Sequence, residues 1–365
     1  MTAQPLAIPS RSHYLTAQKE RGRKVLGVFP AQYPREILWA HDIAPMEIWD
    51  PPLEPGSAPA HLQPYICAVV RQGLELVLRG GAARLDGLLV PHTCDSLQNL
   101  ASLLNDYLEL PVPVLFFYHP KEPFRDSARA YYRRQLTILD QKLAARFGPR
   151  REGALEQAVA WGQRVAELAG RTYDLRARGQ LSAPALEFYR VLRAGEFLHP
   201  EDHIPLLEEF LAVHQGPAPA GPVVLLSGVL PNPKELLSLL DQQGARVGHD
   251  DFLGLSRRLL FPASQAADPF DALCEQYFAL PPCSTRGSAL SQRLDWLKGL
   301  AQASGARGVI FYVVKFCEPE LFDVPPLMAG LKEQGLATMS LEVELNQGVS
   351  GQIATRVEAF LEMLS

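Results

Sequence analysis

Cysteine is scarce in this chain, with five among 365 residues. The number is odd and no two lie close together, which excludes a disulfide framework as the organising device. Long hydrophobic runs are also missing: nothing reaches the roughly 18 uninterrupted apolar residues of a membrane span. The opening stretch, MTAQPLAIPSRSHYL, lacks the basic-then-apolar pattern of a secretory signal. The expectation is therefore a cytoplasmic protein with no membrane partner. Charge of one sign is not concentrated anywhere. The formal net charge is −5, with acids and bases interleaved, so there is no footprint for nucleic acid and no polybasic segment for anionic lipid. Three catalytic signatures are absent as well. Without a GxxxxGKS/T loop, an HExxH pair or a GxSxG elbow, the usual apparatus of ATP hydrolysis, zinc proteolysis and serine hydrolysis is excluded.

What is present is the text of an α/β protein. Hydrophobic residues make up 47% and charged residues 21%, ordinary for a globular chain, and the length favours two cores over one. Apolar runs such as KVLGVFP, APMEIWD, LDGLLVP and VPVLFFYHP read as buried strands. Between them, REILWAHDI, YICAVVRQGLELVLRG and DSLQNLASLLNDYL carry helical spacing, and Asp95 or Ser96 is the expected cap of the last. The second half repeats the alternation with VVLLSGVL, PKELLSLLDQQG, ARVGHDDF, GVIFYVV, PPLMAGLKEQG, ATMSLEVEL and GQIATRVEAFLEML. Parallel sheets follow from that alternation. The expected division is an N-terminal extension (1–20), a first α/β lobe (21–123), a helical segment packing on the lobes (124–213), a Pro/Gly linker (214–222) and a second α/β lobe (223–365).

Two of the five cysteines fall in matching places. GLLVPHTCDS and GVIFYVVKFCEPE each pass from an apolar run through a short break to a cysteine followed by an acid. Ligands of open parallel sheets bind beyond the carboxyl ends of strands, which is where Cys94 and Cys317 fall. A helix starting after each would favour a thiolate. The alternative is a small buried residue closing a strand, against which the acidic neighbours Asp95 and Glu318 count, because a carboxylate beside a buried filler is costly whereas one that caps a helix is useful. Cys67, at the start of YICAVVRQGLELVLRG, reads equally as a third thiolate facing the same crevice or as a core position. Three thiolates from distant segments suffice to hold three irons of a [4Fe-4S] cube, although the spacing alone does not fix the metal. Cys274 and Cys283 read as structural, with Cys283 also placed to line a cleft. His92 and His119 stand at strand ends, where an imidazole donates a proton or hydrogen-bonds a cluster sulfide. Ser227 and Gly228 read as a plain strand–helix turn.

Four stretches together, YPREILWAHDIAPMEI, YICAVVRQGLELVLRGGAARLDGLLVPHTCDSLQNL, KFCEPELFDVPPL and GQIATRVEAFLEML, resemble the 2-hydroxyacyl-CoA dehydratase and benzoyl-CoA reductase family over nearly the whole chain. The wording around PREI and YIC is most similar to the smaller cluster-bearing subunits of ATP-dependent benzoyl-CoA reductases. The resemblance implies two flavodoxin-like lobes with a [4Fe-4S] cluster in the cleft between them, bound by Cys67, Cys94 and Cys317. It further implies a homologous cluster-bearing subunit as partner, an ATP-dependent activator that delivers electrons, an acyl-CoA substrate and anaerobic chemistry. The reaction is then one-electron reduction of a thioester, as reductase or dehydratase. The chain departs from the family at Trp39-Ala40-His41-Asp42, where a small-residue pair and a glycine are usual. A homodimeric iron–sulfur reductase of a small molecule without CoA, and a non-catalytic redox or assembly partner, are the alternatives.

Overall fold

The computed structural model describes residues 6–54 and 56–364. In chain order the elements are α1 (Arg11–Glu20), β1 (Lys24–Val28), α2 (Arg35–Ala40), β2 (Ile43–Glu47), α3 (Ala68–Leu78), β3 (Gly87–Pro91), α4 (Asp95–Ser102) and β4 (Val114–Phe117). Four helices follow without a strand: α5 (Ala128–Phe147), α6 (Ala154–Ala177), α7 (Ala185–Ala194) and α8 (Pro200–His214). Residues 216–221 then run, mostly exposed, to β5 (Val223–Gly228). The remainder is α9 (Lys234–Gln242), β6 (Arg246–Phe252), α10 (Ser256–Leu259), α11 (Pro269–Phe278), α12 (Leu290–Ser304), β7 (Gly308–Val314), α13 (Glu318–Glu333), β8 (Ala337–Val343) and α14 (Gly351–Leu364).

The strands form two four-stranded, wholly parallel sheets of order β2-β1-β3-β4 and β6-β5-β7-β8. The fold is α/β with two flavodoxin-like lobes, as the sequence leads one to expect. Each order is the other's, so β3 and β7 hold equivalent places. Both are buried along their whole length, which is why they read as continuous apolar runs and not as alternating ones. One core runs through both lobes. A second lies between one face of the first sheet and the helices α2, α5, α6 and α11, with Val28, Ile37, Phe117, Leu136 and Leu155 in it. Among the described residues no helix is long and apolar enough to cross a membrane.

Side chains bind the lobes to each other. Glu47, at the end of β2, accepts from both Nη atoms of Arg258 in α10 at 2.8 Å. Asn232 Nδ2 donates to Asp50 Oδ2 (2.6 Å), Asn346 Nδ2 to the carbonyls of Asp50 and Pro51, and Arg71 to Glu344 (2.7 Å). At the end of β5, Gly228 has φ +148°, and a Cβ there would collide with the Tyr312 carbonyl of the neighbouring strand. That turn is a plain one: Ser227 is buried and its hydroxyl donates to Asp251 (2.9 Å).

Candidate metal centre

Each of Cys67, Cys94 and Cys317 stands at the N-cap of a helix, opening α3, α4 and α13 respectively. For the latter two the chain leaves the equivalent strands β3 and β7 and turns through two residues before the cysteine. The second turn needs Phe316 in the left-handed region, at φ +63°. Asp95 and Glu318 do not cap. They sit one residue inside the helices and point to solvent, and the cap position is the cysteine itself. An exposed carboxylate in a first turn still favours the helix through its dipole, so the matched acids are explained without burial.

The helix starts act on the sulfurs. The first-turn N–H groups of Val69 and Val70 lie toward Cys67 and those of Ser96 and Leu97 toward Cys94, favouring the thiolate form without closing a full capping bond. Cys317 has the N–H of Glu320 placed in this way, and Pro319 has none to give. Burial works in the opposite direction and is larger. It pushes the Cys94 thiol up to about 12 and lifts Cys67 and Cys317 above their ordinary range. Next in Cys94 comes repulsion from Cys67, and Cys317 feels both of the others. The three sulfurs, remote in sequence, are thus near enough to sense one another's charge. Lys121, whose ammonium donates to the Thr93 carbonyl at 3.4 Å, eases ionisation of Cys94, and Arg71 does so for Cys67.

One buried and two partly buried thiols that repel one another as anions are a donor set suited to a cationic inorganic centre. Among the described residues, no three or more His, Cys, Asp or Glu side chains gather closely enough to hold a single ion. That sets the trio apart from a mononuclear zinc site, in which every sulfur lies about 2.3 Å from the same atom. A cube takes its thiolates at separate irons and not at one shared ion.

His92 is half-buried, with its ring edge-on to Tyr118 (centroids 5.6 Å apart) and Nε2 3.9 Å from Asp95. Burial, then Lys121, lowers its pKa. His119 is buried and pushed down to about 3, chiefly by desolvation. The Tyr277 hydroxyl donates to the Pro120 carbonyl (2.6 Å), so the 2.8 Å contact with His119 Nδ1 has the imidazole donating. Its Nε2 is left as a buried acceptor with no partner. Cys274, on the buried side of α11, belongs to the second core. Cys283 is fully buried, its sulfur 3.2 Å from Thr285 Oγ1 and 3.8 Å from Arg257 Nη1.

One functional group is not legible in the sequence pattern. Behind Cys317, Arg257 donates to Asp251 (2.8 and 2.9 Å) and to Glu320 (2.5 and 3.2 Å), and Arg293 bridges the same two carboxylates at 3.3 Å. All four side chains are buried. Glu320 lies in the first turn of α13, so the network fixes the turn that carries Cys317. Its signal in the sequence is an acid three residues beyond the cysteine, overshadowed by the adjacent Glu318.

The sequence profile of the family described as 2-hydroxyglutaryl-CoA dehydratase, D-component, matches residues 30–364. The chain is similar to the (R)-phenyllactyl-CoA dehydratase beta subunit of Clostridium sporogenes, 24% identical over 97% of this chain and 95% of that protein. It is 24% identical to the lactoyl-CoA dehydratase subunit beta of Anaerotignum propionicum, over 94% and 93% of the two chains. With a subunit of the benzoyl-CoA reductase of Thauera aromatica it shares 25% identity, over 95% and 92%.

Proposed function

Because this chain belongs to the 2-hydroxyglutaryl-CoA dehydratase D-component family, we propose that it is the iron–sulfur subunit of a low-potential reductase or dehydratase acting on acyl-CoA thioesters. Its relatives are subunits of enzymes of both kinds, so an enzyme subunit is the common ground. The observation that carries the finer reading is the trio of mutually sensing cysteines at three helix starts. Cys67, Cys94 and Cys317 would hold a [4Fe-4S] cluster, which when bound supplies single electrons at potentials no side chain reaches. The relatives' names support a partner subunit; that the partner is homologous, and that an ATP-dependent protein donates the electrons, belong to the same proposal.

The chain's own residues bind, orient and exclude water. The helix starts aim N–H groups at the sulfurs, and burial of Cys67 keeps solvent from it. Thr93, beside Cys94, accepts from the Ala31 N–H and donates to the Pro30 carbonyl, both at 2.9 Å, which fixes the loop after β1 against the cysteine turn. His92 and His119 are the proposed proton-handling groups. At neutral pH His119 is uncharged, and with Nδ1 turned to Tyr277 its Nε2 is left to accept a hydrogen bond.

Anaerobic reconstitution of the full chain with iron and sulfide, followed by iron analysis and EPR, tests the reading. Cys67→Ala, Cys94→Ala and Cys317→Ala are expected to lose most of their iron, and Cys274→Ala to retain it. Wild-type iron content in Cys94→Ala would refute the assignment. A second reading, reduction of a small molecule without CoA, is favoured by Trp39, whose buried indole stands where the family has small residues. Titration with an acyl-CoA separates the two.

A further inference from the structure

A cavity of about 80 Å³ lies between the loop after β1, α2, α6, α10 and α11, and none of the three cysteines lines it. Its polar walls lack partners. The amide nitrogens of Gln32 and Gln276 and the indole nitrogen of Trp39 make no hydrogen bond, and their residues are only 4%, 4% and 6% exposed. Each such orphan costs about 1–3 kcal/mol, so three among the residues that line one cavity call for an occupant. Trp39 fixes the polarity of that occupant, because an indole nitrogen only donates.

Glu36 completes the wall. Among the described residues no side chain hydrogen-bonds to its carboxyl, and burial raises its pKa. Arg35 on its own helix and Tyr132 from α5 interact with it electrostatically, and Tyr33, Arg258 from α10 and Tyr277 from α11 line the same cavity. Both arginines are already engaged by Glu47, and both phenols from the neighbouring helices are held neutral by burial. Opposite stands Gly162, in the middle of α6, where a Cβ would collide with Glu36 Oε1. A mid-helix glycine costs about 1 kcal/mol against alanine; here it leaves room for the carboxyl.

We propose that this cavity binds a small carboxyl group, either a short-chain carboxylate or the acyl carbonyl of its thioester, through the donors of Trp39, Gln32 and Gln276, with the Glu36 carboxyl beside it. The acceptor oxygens of such a group match the orphan donors. Its size admits such a group, since about 80 Å³ is several times the roughly 10–15 Å³ that one water needs. The thioester form rests on the reading given above; the free-carboxylate form stands without it and without iron.

The test is ¹⁹F NMR of the full-length chain labelled with 5-fluorotryptophan, the Trp39 resonance being assigned with Trp39→Phe. Propionate and propionyl-CoA are titrated separately at pH 6 and pH 8. A saturable shift of the Trp39 signal is expected, with affinity for propionate weaker at pH 8 by up to about tenfold per unit above the Glu36 pKa. Glu36→Gln should still bind and lose that pH dependence. Gln276→Leu should weaken binding about tenfold, the worth of one hydrogen bond. Gly162→Ala, which pushes the carboxyl into the cavity, should abolish it. A shift with propionate identifies a free-carboxylate site, and a shift with propionyl-CoA alone identifies an acyl pocket. No shift with either, as expected of a cavity that holds only water, overturns the proposal, as does wild-type affinity in Gly162→Ala. Iron content, measured on the same samples, is independent of all these outcomes.

Discussion

Glu47 ends β2 inside a nest of donors. The Tyr33 hydroxyl and Arg35 reach it at 2.8 Å, the Trp49 indole at 2.6 Å, and Arg258 binds it at both oxygens. Burial opposes its ionisation, but Arg258 and then Arg35 more than compensate and lower its pKa from 4.5 to about 2. A carboxylate whose folded pKa is depressed stabilises the fold above its unfolded pKa, and that contribution fades as pH falls toward the folded value. Here it amounts to about 3 kcal/mol. Glu47→Gln should therefore destabilise the protein by about 3–5 kcal/mol at pH 7, since two buried guanidiniums lose their shared counter-ion. Urea unfolding checks this. The gap between variant and wild type should narrow from pH 6 to pH 3, and an unchanged gap would mean that charge is not its source.

At the scale of elements, the strands were the most legible part of the sequence, because wholly buried parallel strands are written as unbroken apolar runs. The end of β5 carries a sharp requirement that such a run does not reveal. Gly228 combines φ +148° with the Tyr312 carbonyl standing where a Cβ would go, so Gly228→Ala should cost at least about 2 kcal/mol, read as a lower urea midpoint. Helices were less legible where charge enters the core. In α12 the buried positions are Arg293, Leu297, Leu300, Ala301 and Ser304, a proper helical stripe whose first member is an arginine. Hydropathy alone does not mark it, because Arg293 is paid for by Asp251 and Glu320, which lie far off in sequence. The α13 helix begins at Glu318, seven residues before the PPLMAGLKEQG stretch that suggests it, and runs through Pro325 and Pro326. The carbonyls those prolines leave unpaired belong to Leu321 and Phe322, both on the exposed side, where water serves them. Of the candidate centre, the equivalence of Cys94 and Cys317 was readable because it follows from strand position. The cavity at Glu36 was not, since it is made by Gly162 and Gln276, more than a hundred residues downstream.

For the whole molecule, two sheets of one order are joined by polar side chains as well as by the polypeptide. Asp50 is the hub: Arg193 binds it bidentately at 2.7 and 2.9 Å, Asn232 reaches it across the lobes, and Asn346 takes its carbonyl. A shared core lies beneath these bonds. The covalent link between α8 and β5, by contrast, passes over the surface through residues 216–221, where Ala218 N donating to the Gly179 carbonyl is a local tie. Exposed segments of this kind are where proteases nick folded proteins. Cleavage there should yield fragments of unequal length that still co-elute as one particle in native gel filtration and part only in denaturant. Expressed separately, the two pieces should complement each other, which would make the continuity of the backbone at that point dispensable to the folded state.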